Sequence, residues 1–288
     1  MKKNIVFFFL FFLFCTFTFS VFSMKKINNK TQKELEGEPT GQELLDKLYM
    51  QLGQKTLYEY IVLRRIFPIH VAAERVGLKL VKYLVEEKGA DVNMETMGGF
   101  KPIHFASQGG KKEVVKYLIE KQGVNKNELS KKGFKPIHMA SQFGRYDIVK
   151  YLIEKQGVNK NEKHKKTDST PIQFATQYGQ LKIFKYLITK GVDANQKNAI
   201  EGFKLIHIAA QFGKSGIIKY LIESKSIDVN EKDDIGLTPV DVALLYHKSR
   251  VFFYLVKKGG KPTKKGGKAY SNMYFTSRLL PDNLDYLK

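Results

Sequence analysis

Apolar residues recur along the chain in short helical stripes separated by polar turns, and one unit shows the pattern clearly. Pro136 suits the first turn of a helix, because that turn leaves its N–H groups unbonded. Ile137 and Ala140 then fall on one stripe, and Gly144 ends the helix. A second helix follows, with apolar residues on its inner side at Ile148, Val149, Leu152 and Ile153. Gly157 ends that helix, and the Asn-rich segment after it is predicted to be an extended turn.

This unit repeats with a nearly constant period. A Tyr-Leu pair recurs at separations of 34, 34, 35, 34 and 34 residues, at Tyr83, Tyr117, Tyr151, Tyr186, Tyr220 and Tyr254. A second landmark keeps the same step and reads Pro-Ile-His where it begins at Pro68, Pro102 and Pro136. A fixed period in this range predicts a stack of six units, each made of helix, turn, helix and an extended finger.

The repeated motif resembles that of ankyrin-repeat proteins. The family pattern places Gly-x-Thr-Pro-Leu-His-x-Ala-Ala at the first helix and Gly-Ala-Asp-Val-Asn after the second. The closest matches are Gly236-Leu237-Thr238-Pro239 and Gly89-Ala90-Asp91-Val92-Asn93. The resemblance implies an all-α ankyrin-repeat solenoid with short β-hairpin fingers. Its six repeats cover about residues 66–98, 99–132, 133–167, 168–201, 202–235 and 236–260.

Several positions depart from the family pattern. Lysine replaces the threonine before the proline in three repeats, at Lys101, Lys135 and Lys204. Leu205 replaces one of the prolines, and Gln173 and Asp241 replace two of the histidines. We expect these changes to affect the local capping bonds of their own repeats and to leave the fold intact.

The two flanks of the array differ from the repeats, because a terminal repeat has one face without a neighbour. Thr40 and Glu43 form a capping box before an apolar helical run, and a second helical stretch over residues 57–62 would complete a helical N-terminal cap at residues 40–65. Residues 24–39 are predicted to be a flexible segment. Residues 261–288 are predicted to form a basic linker and C-terminal tail, within which residues 270–280 offer a capping turn.

The start of the chain has the layout of a secretory signal. Lys2 and Lys3 precede an uncharged stretch rich in Phe, Leu and Val, and small residues follow near Ser23. We therefore predict a signal peptide over residues 1–23 and a secreted or exported protein. The alternative is an uncleaved anchor through residues 4–22, which is long enough to span a bilayer. Cys15 is the single cysteine, so cleavage would leave a mature chain without thiols.

The chain carries a formal net charge of +21, which by itself would favour nucleic acid or an anionic membrane as partner. Only six of its 49 basic residues are Arg, whereas recognition of bases and phosphates favours the forked guanidinium. The sequence therefore argues against nucleic acid and favours a solvated lysine surface. An acidic protein partner remains the second interpretation. Contact with a membrane is expected only through an uncleaved N-terminal segment.

The repeated histidines are the first candidates for catalysis or metal binding. Equivalent atoms on stacked helices lie about 8–10 Å apart, too far apart to share one zinc ion. The family resemblance instead implies structural hydrogen bonds from His70, His104, His138 and His207 to the neighbouring fingers. Because no catalytic motif, phosphate-binding glycine loop or metal-ligand spacing appears in a suitable context, we predict no enzyme activity and no cofactor.

The resemblance also indicates which positions face a partner. In designed binders of the family, the residues before the helix-ending glycine and before the finger threonine are varied, because they line the concave face. Here they are aromatic or amide residues, which protein interfaces favour. The alternative is that the rings pack against the adjacent repeat. The predicted surface consists of Phe100, Gln108, Phe134, Gln142, Phe143, Gln177, Tyr178, Phe203, Gln211, Phe212 and Tyr246.

The third finger carries an extra residue and several basic side chains. Lys163, Lys165 and Lys166, together with Lys160 and His164, could dock an acidic patch and speed association, or could simply be a solvated loop. The leading hypothesis is thus a monomeric, exported protein-binding module. A basic adaptor for polyanions or anionic membranes is the main alternative, and an enzyme with an unrecognised site is the third.

Overall fold

The computed structural model describes residues 40–58, 64–199 and 202–264 of the 288-residue chain. The described residues from Gly41 onward belong to one compact unit. The predicted signal or anchor over residues 1–23, the flexible segment at 24–39 and the tail from residue 265 lie outside the described residues. So do residues 59–63 of the predicted N-terminal cap.

Thirteen helices make up the described part, one N-terminal helix followed by six pairs. Helix α1 spans Gly41–Tyr58 and is broken at Gly53. The first helices of the pairs are α2 (Pro68–Val71, continued by a π-helical turn at Ala72–Val76), α4 (Pro102–Gly109), α6 (Pro136–Gln142), α8 (Pro171–Tyr178), α10 (Leu205–Gln211) and α12 (Pro239–Leu245). The second helices are α3 (Leu78–Lys82, continued by a π-helical turn at Tyr83–Glu87), α5 (Lys112–Glu120), α7 (Tyr146–Glu154), α9 (Leu181–Thr189), α11 (Ser215–Lys225) and α13 (Ser249–Lys257).

The residues that the sequence pattern singled out start and stop these helices. The residue before α6, Lys135, is extended (φ −108°, ψ 162°), and Pro136 occupies the first helical position. Gly144 after α6 adopts φ 73°, a left-handed conformation that costs a residue with a Cβ roughly 1–2 kcal/mol. Helix α10 begins at Leu205 without a proline, so the helix start does not depend on that residue.

The core is a stack of equivalent apolar side chains, one layer for each pair of helices. Five of the six second helices contribute one fully buried leucine at the same position, at Leu118, Leu152, Leu187, Leu221 and Leu255. Burying such a side chain stabilises the fold by roughly 1.5–3 kcal/mol. Because each layer is covered by the next repeat, no repeat completes its core alone.

The outer side of the stack is tied by hydrogen bonds between tyrosine and glutamate. The Tyr151 hydroxyl donates to Glu120 Oε1 of the preceding repeat (2.9 Å), and Gln156 Nε2 donates to the Tyr151 oxygen (2.8 Å). The same tyrosine-to-glutamate bond recurs at Tyr117, Tyr186 and Tyr254. The recurring Tyr-Leu pair of the sequence therefore supplies a buried leucine and a polar link between repeats.

The fingers differ from the predicted β-hairpins, because no strand forms within the described residues. The one antiparallel bridge found there joins Lys197 and Lys204. Elsewhere a finger closes through turn bonds, such as Ser130 N–H to the Phe134 carbonyl (2.9 Å) and Gly133 N–H to the Ser130 carbonyl (2.9 Å). A side chain completes the turn, since Ser130 Oγ accepts the Phe134 N–H (3.0 Å). The fingers are thus tight turns rather than ribbons.

The N-terminal helix α1 covers the first repeat. Leu45 and Leu48 are buried, and the Tyr83 hydroxyl donates to Gln42 Oε1 (2.5 Å). Gly41 lies so close to the Tyr83 ring that a Cβ on it would be 2.2 Å from a ring carbon. Within the described residues, no helix is both long enough and apolar enough to cross a membrane.

Candidate functional site

The histidines at the start of the inner helices are buried and join neighbouring repeats. His138 Nδ1 accepts a hydrogen bond from the Lys135 N–H (3.1 Å), and its Nε2 donates to the Glu162 carbonyl in the next finger (2.8 Å). Burial lowers the pKa of His138 to about 3, so the ring is neutral at pH 7. Equivalent Nε2 contacts to the next finger are made by His70, His104 and His207. Among the described residues, no cluster of His, Cys, Asp and Glu could hold a metal ion.

Gln173 reproduces the two hydrogen bonds of the histidine it replaces. Its Oε1 accepts from the Thr170 N–H (2.9 Å), and its Nε2 donates to the Lys197 carbonyl (3.0 Å). An amide can do this because, like a neutral imidazole, it offers one acceptor and one donor at opposite ends. The expectation that this departure disturbs the local capping bonds is wrong for the fourth repeat.

Asp241 adapts the same position to the end of the array. One carboxylate oxygen accepts from the Thr238 N–H (2.9 Å), as the histidine Nδ1 does elsewhere. The other oxygen accepts from the Thr263 N–H (2.9 Å), so the chain after the last helix replaces the next finger. A carboxylate only accepts hydrogen bonds, which suits a site where the partner is an N–H rather than a carbonyl.

The lysines that replace threonine before the helix start form ion pairs between repeats. Lys101 Nζ lies 2.9 Å from Glu128 Oε1, and Lys135 Nζ lies 2.5 Å from Glu162 Oε1. In the fifth repeat Lys204 pairs with Glu231. All six side chains are partly buried, so these lysines belong to the joints of the array and not to a free basic surface.

The finger aromatics of the predicted surface pack between repeats. The Phe100 and Phe134 ring centroids are 6.1 Å apart, and Phe134 also lies 4.4 Å from the His164 ring and 5.6 Å from Phe174. Phe203 is buried, with its ring 5.9 Å from His207. The Phe100 and Phe134 rings therefore contribute to the stacking of repeats and stay half-buried, whereas Phe203 leaves almost no area for a partner.

The predicted glutamines divide into buried and half-buried positions. Gln142 and Gln211 are buried, at 7% and 3% exposure. Gln108 and Gln177 are half-buried, and Gln108 Nε2 donates to Glu74 Oε1 (2.6 Å). Only the latter two leave amide groups near the surface.

Four aromatic residues stand at the C-terminal ends of successive inner helices. Phe143, Phe212 and Tyr246 are the residues directly after α6, α10 and α12, and Tyr178 is the last residue of α8. Phe143, Tyr178 and Phe212 are half-buried, and Tyr246 is 37% exposed. We name these four residues the aromatic column. Like Phe100 and Phe134, these residues keep part of their apolar area open, and Phe212 also packs against the hydrophobic core.

The third finger is less basic than its sequence indicates. Lys163, Lys165 and Lys166 are exposed, and Lys163 lies 3.5 Å from Asp168. The His164 ring, in contrast, is buried, and burial lowers its pKa to about 4. His164 is therefore an uncharged packing residue at pH 7, and the exposed lysines carry the positive charge of this finger.

A row of mostly basic residues, absent from the predicted surface, follows the turns between inner and outer helices. Arg145 Nε donates to the Gln108 carbonyl (2.7 Å), and Gln180 Nε2 donates to the Gln142 carbonyl (3.0 Å). Each therefore satisfies a carbonyl at the C-terminal end of the preceding inner helix. The sequence could have indicated this row, because its residues occupy the same position in successive repeats. We name this row the turn column: Lys111, Arg145, Gln180, Lys214 and Lys248.

Comparisons with known proteins agree with this geometry. A family model described as ankyrin repeats (3 copies) matches residues 69–164 and again residues 172–265. Among solved structures, the chain is similar to the ankyrin repeat domain of human ASB11, with a TM-score of 0.56 and 24% sequence identity. That match covers 68% of this chain and 85% of the other. No curated protein matches the chain significantly.

Ankyrin repeats are generally protein–protein interaction modules, and proteins built from them are typically not enzymes. The buried histidines, the glycine-ended helix pairs and the two family-model matches all agree, and the matches together cover more than half of the sequence. The chain belongs to the ankyrin-repeat family.

Proposed function

We propose that this chain is an exported, non-enzymatic and monomeric module that binds a protein partner through the concave face of its repeat array. The observation that carries the proposal is the aromatic column, Phe143, Tyr178, Phe212 and Tyr246. These residues stand at one register of four successive repeats and keep part of their area exposed. No cofactor and no nucleic-acid partner form part of the proposal.

The physical reason is the energy that aromatic side chains contribute at an interface. A ring covers a large apolar area and has few rotatable bonds, so burying it costs little conformational entropy. The rings that dominate interfaces lie at the centre of the contact and are surrounded by groups that exclude water. Gln177 lies next to Tyr178 in α8, and Gln108 occupies the equivalent place in α4, so both supply polar groups for such a rim.

Export is part of the proposal and rests on residues 1–23. If the signal is used, N-terminal sequencing of the protein from its native host should find a mature chain that begins near Met24. An intact Met1 together with retention in the membrane fraction would replace export by anchoring through residues 4–22.

The alternative function is a basic adaptor for polyanions or anionic membranes, which the net charge of +21 and the exposed Lys163, Lys165 and Lys166 favour. Salt separates the two functions. Binding to a polyanion weakens steeply as salt rises, because condensed counterions are released on binding. Binding through the aromatic column should change little over the same range.

The test is a triple variant, Phe143→Ala, Tyr178→Ala and Phe212→Ala, measured against a partner captured with the full chain. We expect its affinity to fall by several kcal/mol in total, since an anchoring ring contributes about 2 kcal/mol or more. Phe253→Ala is the matched control, because Phe253 is 48% exposed on the outer helix α13.

Thermal denaturation of the triple variant completes the test. A triple variant that loses most of its thermal stability would assign the rings to the repeat core. A folded triple variant that binds its partner as tightly as the unchanged protein would exclude the concave face and leave the basic finger or the outer helices.

A further inference from the structure

Two lysines of the turn column, Lys214 and Lys248, lie side by side at the C-terminal end of the array. The stem of Lys214 crosses Gly179, where its Cδ is 3.0 Å from the position a Cβ would take. The stem of Lys248 crosses Gly213 in the same way, at 3.2 Å. The glycines therefore leave the room into which the two side chains fold, and both lysines are half-buried.

No carboxylate among the described residues pairs with these two lysines. Burial and the neighbouring Lys248 both lower the pKa of Lys214. Within the described ranges, neither ammonium group makes a hydrogen bond or an ion pair. The half-buried lysines of the finger joints differ, because Lys101 and Lys135 each have a glutamate partner.

The other members of the turn column are arranged differently. Arg145 donates to the Gln108 carbonyl and is attracted by the nearby carboxylate of Glu74. Gln180, the next member, has no charge. Lys111, at the far end of the column, is also half-buried and lies near Arg145. The uncharged Gln180 therefore separates the lysine pair from the charges of Lys111 and Arg145. Such a short site fits one or two anionic groups better than a long polymer, which would need a continuous row of cations.

The aromatic column runs next to the pair. Tyr178 precedes Gly179, which Lys214 crosses, and Phe212 precedes Gly213, which Lys248 crosses. A ligand at the two ammonium groups therefore has apolar rings directly beside it. Burying a charged group without a partner costs free energy, and the half-burial of Lys214 and Lys248 has this cost in the free protein. An anion that pairs with both lysines would offset it.

We propose that Lys214 and Lys248 form an anion-binding site that holds a glutamate or aspartate carboxylate of an extended acidic segment in the partner protein. The site rests on the proposed function and deepens it, because it states the chemistry of the partner. The partner segment carries an acidic residue at this site and an apolar residue on the neighbouring rings. The lysine pair selects for the acid, and the rings hold the apolar side chain.

The test uses the full chain and a fluorescein-labelled 12-residue peptide of Glu-Glu-Phe repeats, measured by fluorescence anisotropy. The variant is Lys214→Gln with Lys248→Gln. Glutamine already occupies this place in the fourth repeat as Gln180, so the substitution keeps a residue that the fold accepts. Lys116→Gln with Lys150→Gln removes the same charge from exposed positions on α5 and α7 and is the matched control.

We expect the lysine-pair variant to bind the peptide about tenfold or more weakly, and the control to change by less than about twofold, because only paired, partly desolvated charges contribute strongly. Thermal denaturation should show the lysine-pair variant at least as stable as the unchanged protein, since removing two like charges relieves their repulsion. Equal losses in both variants, or no loss in either, would overturn the site. Tighter lysine-dependent binding of a 12-nucleotide oligothymidylate than of the peptide would also overturn it.

The aromatic triple variant separates this inference from the proposed function. If the lysine-pair variant loses affinity for the peptide and the triple variant does not, the anion site stands and the aromatic interface fails. If the triple variant alone loses affinity, the interface stands and the anion site is wrong.

Discussion

Replacing His138 with alanine or with glutamine separates the hydrogen bonds of this residue from its other properties. His138 is fully buried and accepts from the Lys135 N–H at 3.1 Å while it donates to the Glu162 carbonyl at 2.8 Å. His138→Ala removes both bonds and leaves two buried backbone groups without a partner, each of which costs about 1–3 kcal/mol. We therefore expect His138→Ala to lower the free energy of unfolding by about 2–5 kcal/mol at pH 7.5.

His138→Gln should cost far less, because Gln173 makes the same two bonds in the fourth repeat. We expect a loss of no more than about 1.5 kcal/mol, the net value of one typical hydrogen bond. The reverse change, Gln173→His, is the matched control and should fall within the same limit. Urea denaturation followed by circular dichroism measures all three variants.

The pH dependence gives a second readout. Because burial lowers the pKa of His138 to about 3 in the folded protein, its contribution is fully present above the unfolded pKa of about 6.5 and is lost as pH falls toward the folded pKa. At pH 5 the proton bound by the unfolded chain costs the folded state about 2 kcal/mol. His138→Gln lacks this loss, so between pH 7.5 and pH 5 its stability relative to the unchanged protein should rise by about that amount, which makes the variant the more stable of the two at pH 5.

Equal destabilisation by alanine and glutamine would refute the hydrogen-bond explanation, because the two side chains differ chiefly in their ability to make these bonds. A stability difference between His138→Gln and the unchanged protein that stays constant from pH 7.5 to pH 5 would refute the assignment of a neutral, buried ring.

Four further predictions address the links between repeats, two glycines and the basic finger. Tyr151→Phe removes the hydroxyl that bonds Glu120 and should lower the free energy of unfolding by about 0.5–1.5 kcal/mol in urea denaturation, whereas no change would mean that this bond contributes nothing. Gly144→Ala should destabilise by about 1–2 kcal/mol, since Gly144 has φ 73° and a Cβ there would lie 2.4 Å from Gln180 Oε1. Gly216→Ala in the helix α11 should stabilise by about 0.5–1 kcal/mol in thermal denaturation, and the opposite sign would contradict the helix assignment. Changing Lys163, Lys165 and Lys166 to Ser should slow association with the partner protein and make the association rate less dependent on salt concentration. Surface plasmon resonance should show little change in the dissociation rate.

The sequence predicts the array well, because its period and its helix signals arise locally. A proline that starts a first helix and a glycine that follows it act within one unit, and the structure has helices α4, α6 and α8 between such residues. The bonds of Gln173 were not predictable from the motif, since their partner at Lys197 lies in the next finger.

The candidate site was predicted only in part, because a repeating residue can face either a partner or the neighbouring repeat. Phe143 and Phe134 recur at equally regular positions and are both half-buried, and the motif does not reveal that the Phe134 ring packs against His164. The burial of His164 likewise depends on Phe174 in the next repeat. The sequence alone therefore does not distinguish a buried histidine in this finger from an exposed basic one. Lys214 was missed because its burial arises from contact with the preceding repeat, at Gly179.

Photo-crosslinking tests the central claim, protein binding through the concave face, most directly. A benzophenone amino acid replaces Tyr178 in one protein and Lys116, exposed on the outer helix α5, in another. Each full-length protein is irradiated in an extract of the native host, and crosslinked proteins are identified by mass spectrometry. A partner crosslinked through position 178 and absent at position 116 is the expected result. Crosslinks through position 116 with none through position 178 would contradict the claim.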